Sequence, residues 1–240
     1  MLGYFNMKKL YLLLLFNIFG CLAQKSNVAY YNIKYVDEIY DNNSTNSYSP
    51  FLSAAKTYED DVVLRLTFNK NNAVFEMLLD NKNSENKLAF DLSGCEKSIY
   101  VDLSKNLFTS LNKGSRPLGI EDEKYILIDT ISNLKWQFHD ESKMINEIEV
   151  FKATLAYTTV DNKHFQVTAW YAPSLPYAFG PLLYGGLPGL ILQLQDKGKL
   201  YTLSKIEFDS DLKIPKTPER DFKMSTNEFK QMQYNTYLNM

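Results

Sequence analysis

The sequence predicts a mainly β protein, an antiparallel strongly curved sheet or open barrel with a short C-terminal helix. Three observations support this fold class. Short segments rich in Tyr, Phe, Val and Leu alternate apolar and polar residues along most of the chain. Polar turn sequences separate these segments at short intervals, without helical periodicity between them. A cluster of glycine and proline at residues 179–195 has Leu and Ile between them instead of polar side chains.

The N-terminal segment predicts export. Lys8 and Lys9 precede a short apolar run at residues 10–16, and small residues follow, ending at Ala23. This order is typical of a secretory signal peptide. The run is shorter than the about 20 apolar residues that a membrane-spanning helix needs. We therefore expect residues 1–23 to be a signal peptide that is cleaved after Ala23.

The mature region, residues 24–240, is expected to be a single β-rich domain without a transmembrane segment. Losing Lys8 and Lys9 changes its formal charge from −2 to −4, which argues against a nucleic-acid partner. Cys95 is then the remaining cysteine, so no internal disulfide is expected. Cleavage before Cys21, with a lipid anchor on that residue, is the alternative.

The strand predictions follow from alternation along the chain. Residues 62–68 place Val62, Leu64, Leu66 and Phe68 on one face. The polar turns include 69–72, 161–163 and 196–199, and each of them fits a hairpin. Together these patterns predict strands at residues 29–36, 62–68, 73–79, 98–103, 125–129, 134–138, 153–160, 165–171, 190–195 and 200–208.

The C-terminal tail predicts a short helix. Ser225 and Glu228 have the spacing of a capping box, in which each side chain satisfies a backbone N–H of the other. Phe229, Met232 and Tyr237 then share a narrow apolar face. We expect this face to dock on the sheet, with fraying of the terminus as the alternative.

The glycine and proline cluster predicts a fixed crossing between two strands. Pro173 and Pro176 end the strand at 165–171, because proline offers no amide hydrogen to a ladder. Pro188 and Gly189 have the residue types of a type II turn, with a positive φ at Gly189. The chain then re-enters the sheet, and the residues expected to point inward are Leu190, Leu192 and Leu194.

Several motifs in this region resemble the GLPGLI family, which consists of secreted Bacteroidetes proteins. Residues 169–176 read Ala-Trp-Tyr-Ala-Pro-Ser-Leu-Pro, and Gly180-Pro181 follows. Residues 186–191 then match the name-giving motif letter for letter. Lys152-Ala153 fits the family's upstream Cys-x-Lys-Ala pattern, although Val150 stands where that cysteine is frequent. The resemblance covers about residues 134–208.

The family has no established biochemical activity, so the resemblance implies no catalytic residue. It implies a structural motif, whose members here are Gly180, Pro181, Gly186, Leu187, Pro188, Gly189, Leu190 and Ile191. A strand ending in Trp-Tyr-x-Pro, followed by a crossing and a hairpin, is also similar to the half-open barrels of periplasmic lipoprotein carriers. That likeness concerns the fold, which does not determine function.

The sequence offers little catalytic chemistry. His139 and His164 are the two histidines, too few for a strong metal site. His139 lies in a sequence that reads best as a polar turn, and His164 as a solvated strand residue. The chain contains no Cys-x-x-Cys, His-Glu-x-x-His or Gly-x-Ser-x-Gly motif. We therefore expect no metal, no cofactor and no enzyme activity. The alternative is a hydrolase whose site is assembled from scattered polar residues and matches no known motif.

Four aromatic residues are the candidate ligand- or partner-binding residues: Trp170, Tyr171, Phe179 and Tyr184. They can line an apolar groove, or they can plug the end of a barrel as ordinary core. The sequence thus favours an exported, non-enzymatic protein of the bacterial cell envelope, located in the periplasm or at the outer membrane. It is expected to bind an apolar small molecule or a partner protein. The alternative is a module that docks on an outer-membrane transporter.

Overall fold

The computed structural model describes residues 25–36, 56, 59–78, 97–112 and 125–238. The predicted signal peptide and Cys95 lie outside these residues. The described residues form one sheet of twelve strands that does not close on itself, and a short C-terminal helix follows it. The predicted fold class is therefore confirmed.

Each predicted strand overlaps a strand of the structure, and the structure adds strands at Leu107–Asn112 and Phe222–Met224 that were not predicted. Polar turns lie between most of the strands. The strands are β1 Ser26–Tyr35, β2 Val63–Phe68, β3 Asn72–Leu78, β4 Lys97–Asp102, β5 Leu107–Asn112, β6 Tyr125–Thr130, β7 Gln137–Ile145, β8 Ile148–Thr158, β9 His164–Ala172, β10 Leu190–Asp196, β11 Lys199–Ser210 and β12 Phe222–Met224. The helices described are α1 Thr226–Leu238 and two 3-10 turns, Glu59–Asp61 and Ile131–Asn133.

The sheet consists of two meanders that meet at β1. Strands β1 to β6 follow each other in one direction, and β11 to β7 continue from the other side of β1. β1 pairs antiparallel with β2 and also with β11, so the first strand lies in the middle of the sheet. Among the described strands, β12 is the exception to the antiparallel order, because it pairs parallel with β6 at one edge.

The connection from β6 to β7 shows that the sheet is strongly curved. β6 is second from one edge and β7 forms the other edge. Ten strand spacings would separate these strands by roughly 48 Å in a flat sheet. Residues 131–136 are the whole connection, and a chain of this length reaches at most about 25 Å. The sheet must therefore curl until its two ends approach each other, as in an open barrel.

The crossing segment, residues 173–189, joins β9 to β10 and packs on the concave side of the sheet. Its contacts define the inner face: Phe179 lies against Phe68 of β2, and Gly185 faces the ring of Phe108 on β5. On β2 and β9 the inward hydrophobic residues alternate as predicted, with Leu64, Leu66 and Phe68 buried on β2 and Val167, Ala169 and Tyr171 buried on β9. On β10 the predicted alternation of Leu190, Leu192 and Leu194 is interrupted by a bulge, which places Ile191 opposite Tyr171 and against Gly180.

The C-terminal helix docks on the sheet through Phe229, which is buried against Tyr125 of β6. The predicted capping box is present: Ser225 Oγ accepts from the Glu228 N–H at 3.1 Å, and Glu228 Oε2 accepts from the Ser225 N–H at 2.7 Å. Within the described residues, no helix is both long and apolar enough to cross a membrane.

Candidate functional site

The crossing segment fills the inner face and makes Phe179 a core residue. The ring of Phe179 is 1% exposed and lies 5.9 Å from the ring of Phe68, measured between centroids. The Ile191 N–H donates to the carbonyl of Phe179 at 3.0 Å, which attaches the segment to β10. A Cβ on Gly180 would lie 2.6 Å from the Ile191 side chain. The segment is therefore packed against the sheet without spare room at this point.

The turn at residues 187–189 differs from the predicted type II turn, because Gly189 does not have a positive φ. The Gly189 N–H instead donates to the carbonyl of Leu187 at 2.8 Å, around Pro188. Glycine is required here by close approach: a Cβ on Gly189 would lie 2.2 Å from the carbonyl oxygen of Ala172. The positive φ belongs to Gly186, at 77°. The glycine that adopts the left-handed backbone conformation is thus three residues earlier than the type II turn predicts.

Tyr184 fastens the crossing segment to the end of β10. Its hydroxyl donates to Oδ2 of Asp196 at 2.9 Å, and the Tyr157 hydroxyl donates to Oδ1 of the same carboxylate at 2.9 Å. Burial, followed by the negative charge of Asp196, raises the pKa of Tyr184 well above its usual value. The phenol therefore remains protonated and keeps its donor role at neutral pH.

Two groups of aromatic ring contacts lie between the crossing segment and the open edge of the sheet, one at Tyr184 and one at Tyr171. The Trp136 ring lies 6.2 Å from the Tyr184 ring, and Trp136 Nε1 donates to the carbonyl of Gly185 at 2.9 Å. Phe138 lies edge-on to Tyr171 at 6.1 Å. These contacts continue to Phe151 of β8, 6.4 Å from Tyr171. We call this set the aromatic seam; its members are Trp136, Phe138, Phe151, Tyr171 and Tyr184.

The seam is partly open to solvent. Phe138 is 59% exposed on β7, the edge strand, although its ring contacts the buried Tyr171. Trp136, Phe151 and Tyr184 are half-buried. An exposed aromatic ring that packs on a buried ring is a typical anchor for a protein contact.

Trp170 lies on the opposite face of β9 from Tyr171, so the structure does not bring the four candidate residues together. Lys143 of β7 lies over the Trp170 ring, with its Nζ 4.1 Å from the ring centroid, and donates to Gln193 of β10. Burial lowers the pKa of Lys143. At the hairpin tip, Asn146 Nδ2 donates to the carbonyl of Leu203 on β11 at 2.8 Å.

These contacts show how the β7–β8 hairpin covers part of the outer face. The ladder between β7 and β8 contains a bulge at residues 139–141, where three residues oppose one. Bulges bend a hairpin and increase its twist. The bend carries Lys143 and Asn146 over β9, β10 and β11, and Trp170 becomes the support for Lys143.

Neither histidine is part of a catalytic arrangement of described residues. His139 lies in the bulge of β7 and not in the predicted turn, and its Nε2 is 2.8 Å from Thr154 Oγ1. His164 Nδ1 is 3.0 Å from Thr158 Oγ1 on the neighbouring strand. Both therefore bond to a threonine of an adjacent strand. Across the described ranges, no cluster of His, Cys, Asp and Glu has the composition of a metal site.

Sequence reasoning named Tyr171 and Tyr184 as candidates and did not name Trp136, Phe138 and Phe151, whose rings the structure places against them. The alternation at 134–138 does place Trp136 and Phe138 on one face. That alternation cannot show that β7 is the edge strand, which leaves Phe138 without a covering neighbour among the described strands. The exposure of Phe138 is thus a property of sheet order.

Comparisons with known proteins agree with the fold and leave the function open. A family described as "Protein of unknown function (Porph_ging)" matches residues 156–193, which include the crossing segment. No curated protein matches the chain. Two structures of PNGF-II, in space groups C2 and P21, are similar with TM-scores of 0.50 and 0.51.

The likeness to PNGF-II is one of fold alone. Sequence identity is 13% for the C2 structure and 14% for the P21 structure, over 88% of this chain in each case. The aligned region covers 33% and 34% of the respective PNGF-II chains, so this chain spans about a third of their length. A shared fold does not imply shared functional residues, so no residue role of PNGF-II is assigned to this chain.

Proposed function

We propose that the chain is an exported, non-enzymatic protein of the bacterial cell envelope, a member of the GLPGLI family, that binds a partner protein through the aromatic seam. The observation that carries this proposal is the position of Phe138. Its ring is 59% exposed on an edge strand and packs on Tyr171, which in turn contacts Phe151. Aromatic anchors of this kind dominate the binding energy of many protein interfaces.

Packing of the inner face supports a protein partner over an enclosed apolar ligand. Carriers of apolar molecules need a concave cavity. Here the crossing segment occupies the concave side, and Tyr31, Phe179 and Leu187 are at most 1% exposed. The Tyr31 hydroxyl donates to the Ile191 carbonyl at 2.8 Å, which satisfies this buried polar group within the core. At the seam, by contrast, the ring of Phe138 remains available to a partner.

The edge position of β7 adds a second means of recognition. The outer side of β7 pairs with no other described strand, so its backbone groups there can accept an extended segment of a partner. The charged bulge at residues 139–141 limits such pairing to part of the strand, as is common at protected edges. A partner that offers an apolar side chain to Phe138 and a short extended segment fits both features.

Export is supported by the N-terminal sequence. Lys8 and Lys9 precede the apolar run at 10–16, and Ala23 provides a small residue at the cleavage position. We expect mass spectrometry of the protein from its own envelope to find a chain that starts at Gln24. A lipid-modified mass starting at Cys21 would instead support the anchored form. A chain that retains residues 1–23 and stays in the cytoplasm would contradict export.

Site-specific photo-crosslinking tests the partner. A benzoyl-phenylalanine replaces Phe138 in the full chain, produced in its native cells and irradiated there. Phe222 is the matched control, because it is 58% exposed and lies on β12, the other edge strand. We expect one defined protein adduct from position 138 that position 222 does not give, and Tyr171→Ala should weaken it.

Two results would contradict a seam-bound partner. One is the same set of adducts from both positions, which indicates random collision. The other is no protein adduct from position 138 together with an apolar molecule in native mass spectra, which supports the ligand carrier. An adduct with an outer-membrane transporter would support the alternative function, in which the protein is a module that docks on such a transporter.

A further inference from the structure

The C-terminal unit, residues 222–238, docks on β6 through a small set of contacts. Three residues of β12 pair with Tyr125, Ile126 and Leu127 of β6. At the start of α1, Thr226 donates to the Asp129 carboxylate through both its N–H, at 3.2 Å, and its hydroxyl. Phe229 stacks on Tyr125 with 5.7 Å between centroids and 24° between planes. We call Tyr125, Leu127 and Asp129 the receiving surface.

The helix depends on this surface for its stability. Among the α1 side chains that the structure describes, Phe229 is the buried one, and Met232 is 37% exposed. The capping box joins Ser225 to Glu228 within the unit itself, so its hydrogen bonds do not depend on docking to the sheet. An isolated helix of this length is marginal in water. Once removed from the receiving surface, the unit therefore needs another copy of that surface to fold.

The strap that leads to the unit, residues 211–221, is suited to an extended path. It is anchored at its start, where the Leu212 carbonyl accepts from the Ser26 hydroxyl. Near its end, burial raises the pKa of Tyr100 on β4, and the charge of Arg220 partly offsets this rise. Residues 213–218 make no hydrogen bond to another described residue, the Glu219 carbonyl accepts from the neighbouring Arg220 side chain, and most of residues 213–219 are exposed. Pro215 and Pro218 lie within this stretch and favour extended backbone.

We propose that the receiving surface also accepts the C-terminal unit of a second copy of this chain, so that two copies exchange these units and form a dimer. An exchanged unit makes the same β12–β6 pairing, the same Thr226–Asp129 hydrogen bonds and the same Phe229–Tyr125 stack. The exchange therefore keeps these contacts, and it gives up only the high effective concentration that the strap provides within one chain. Tyr125, Leu127 and Asp129 are not members of the aromatic seam, so crosslinking at position 138 and exchange of the C-terminal unit are measured by different experiments.

Complementation between two full-chain variants tests the exchange. Phe229→Ala disables the unit and leaves the receiving surface intact, whereas Asp129→Ala weakens the receiving surface and leaves the unit intact. In an equimolar mixture, the intact unit of one chain can dock on the intact surface of the other. Native mass spectrometry, with the two chains distinguished by isotopic labelling, should show a heterodimer fraction about tenfold above the dimer fraction of either variant alone.

Controls make the result decisive. Met232→Ala, an exposed change on the same helix, replaces Phe229→Ala in a parallel mixture and should give no such increase. Circular dichroism confirms that each variant keeps its strands, and Asp129→Asn, which preserves the side-chain shape, is used if the alanine variant unfolds. A heterodimer fraction no larger than that of the separate variants would overturn the proposal, and so would an equal increase with Met232→Ala.

Discussion

Tyr184 and Asp196 join the crossing segment to the end of β10 through a hydrogen bond of 2.9 Å. Tyr157 of β8 donates to the other oxygen of the same carboxylate. One carboxylate therefore connects a loop, the strand that follows it and a strand two positions away in the sheet. The crossing segment is thus held at Tyr184 by a hydrogen bond, and at Gly189 by close packing against the backbone of Ala172.

Replacing Tyr184 with Phe should weaken this attachment. The variant keeps the ring contact with Trp136 but removes one donor from a carboxylate. Hydrogen bonds to charged groups contribute about 1.5–3 kcal/mol, so we expect the free energy of unfolding to fall by about that amount. Chemical denaturation measures it. Tyr234→Phe, on the partly exposed side of α1, is the control and should change stability by less than about 0.5 kcal/mol. Equal effects of both variants would contradict the role of Asp196.

Stability should fall at alkaline pH because buried phenols must stay protonated. Burial raises the pKa of Tyr31, and burial with nearby Glu59 raises the pKa of Tyr35 to about 12. In the unfolded chain these phenols titrate near pH 10. Their contribution to the free energy of unfolding is complete below about pH 10. It is lost as the pH rises above 10 toward the pKa values of these phenols in the folded protein.

Denaturation at about pH 9 and about pH 11 measures this loss. Tyr35→Phe removes one of the groups, so its free energy of unfolding should decrease less between the two conditions. Tyrosinate absorbance reports the ionisation independently and should rise with unfolding. A free energy that stays constant between the two conditions would show that the phenols are not held protonated by the fold.

Gly189→Ala should destabilise the fold through a clash and not through φ. The new Cβ would lie 2.2 Å from the Ala172 carbonyl oxygen, where the backbone of the crossing segment meets the end of β9. Overpacking typically costs about 1–3 kcal/mol, and a backbone obstacle places this change at the upper end. Thermal and chemical unfolding check it. Ser174→Ala, an exposed change in the same segment, serves for comparison and should be nearly neutral.

Glu147→Gly should keep or increase stability. Asn146 and Glu147 form the β7–β8 turn with φ values of 47° and 63°, a region that glycine occupies without steric cost. We expect a gain of about 0–1 kcal/mol after the entropic penalty of glycine. Glu149→Gly, two residues later within β8, should lose about 1 kcal/mol because glycine weakens a strand interior. Losses of the same size at both positions would contradict a strained turn.

Local patterns predicted the local structure well. The alternation at residues 62–68 identified the buried face of β2, and the 196–199 turn is a hairpin with positive φ at Lys197 and Gly198. Ser225 and Glu228 identified the start of α1. In each case the deciding interactions join residues close in sequence, so the residues themselves contain the information.

The candidate site required long-range information. Trp170 and Tyr171 are adjacent in sequence, yet one supports Lys143 on the outer face and the other supports Phe138 at the edge. Gly189 has the residue type of a type II turn, but Ala172, on a different element, determines why glycine is needed. Sheet order and curvature decide these roles, and neither can be read from a single segment.

The central position of β1 has a consequence for the order of folding. Ser26 pairs with Ser210, and Tyr35 pairs with Lys199, so the first of the described strands is joined on one side by one of the last. The two meanders cannot unite until the chain is available as far as β11. Such pairing between distant residues makes folding slow. The early strands, including β1 with an unpaired edge, must therefore be kept from aggregation until β11 arrives.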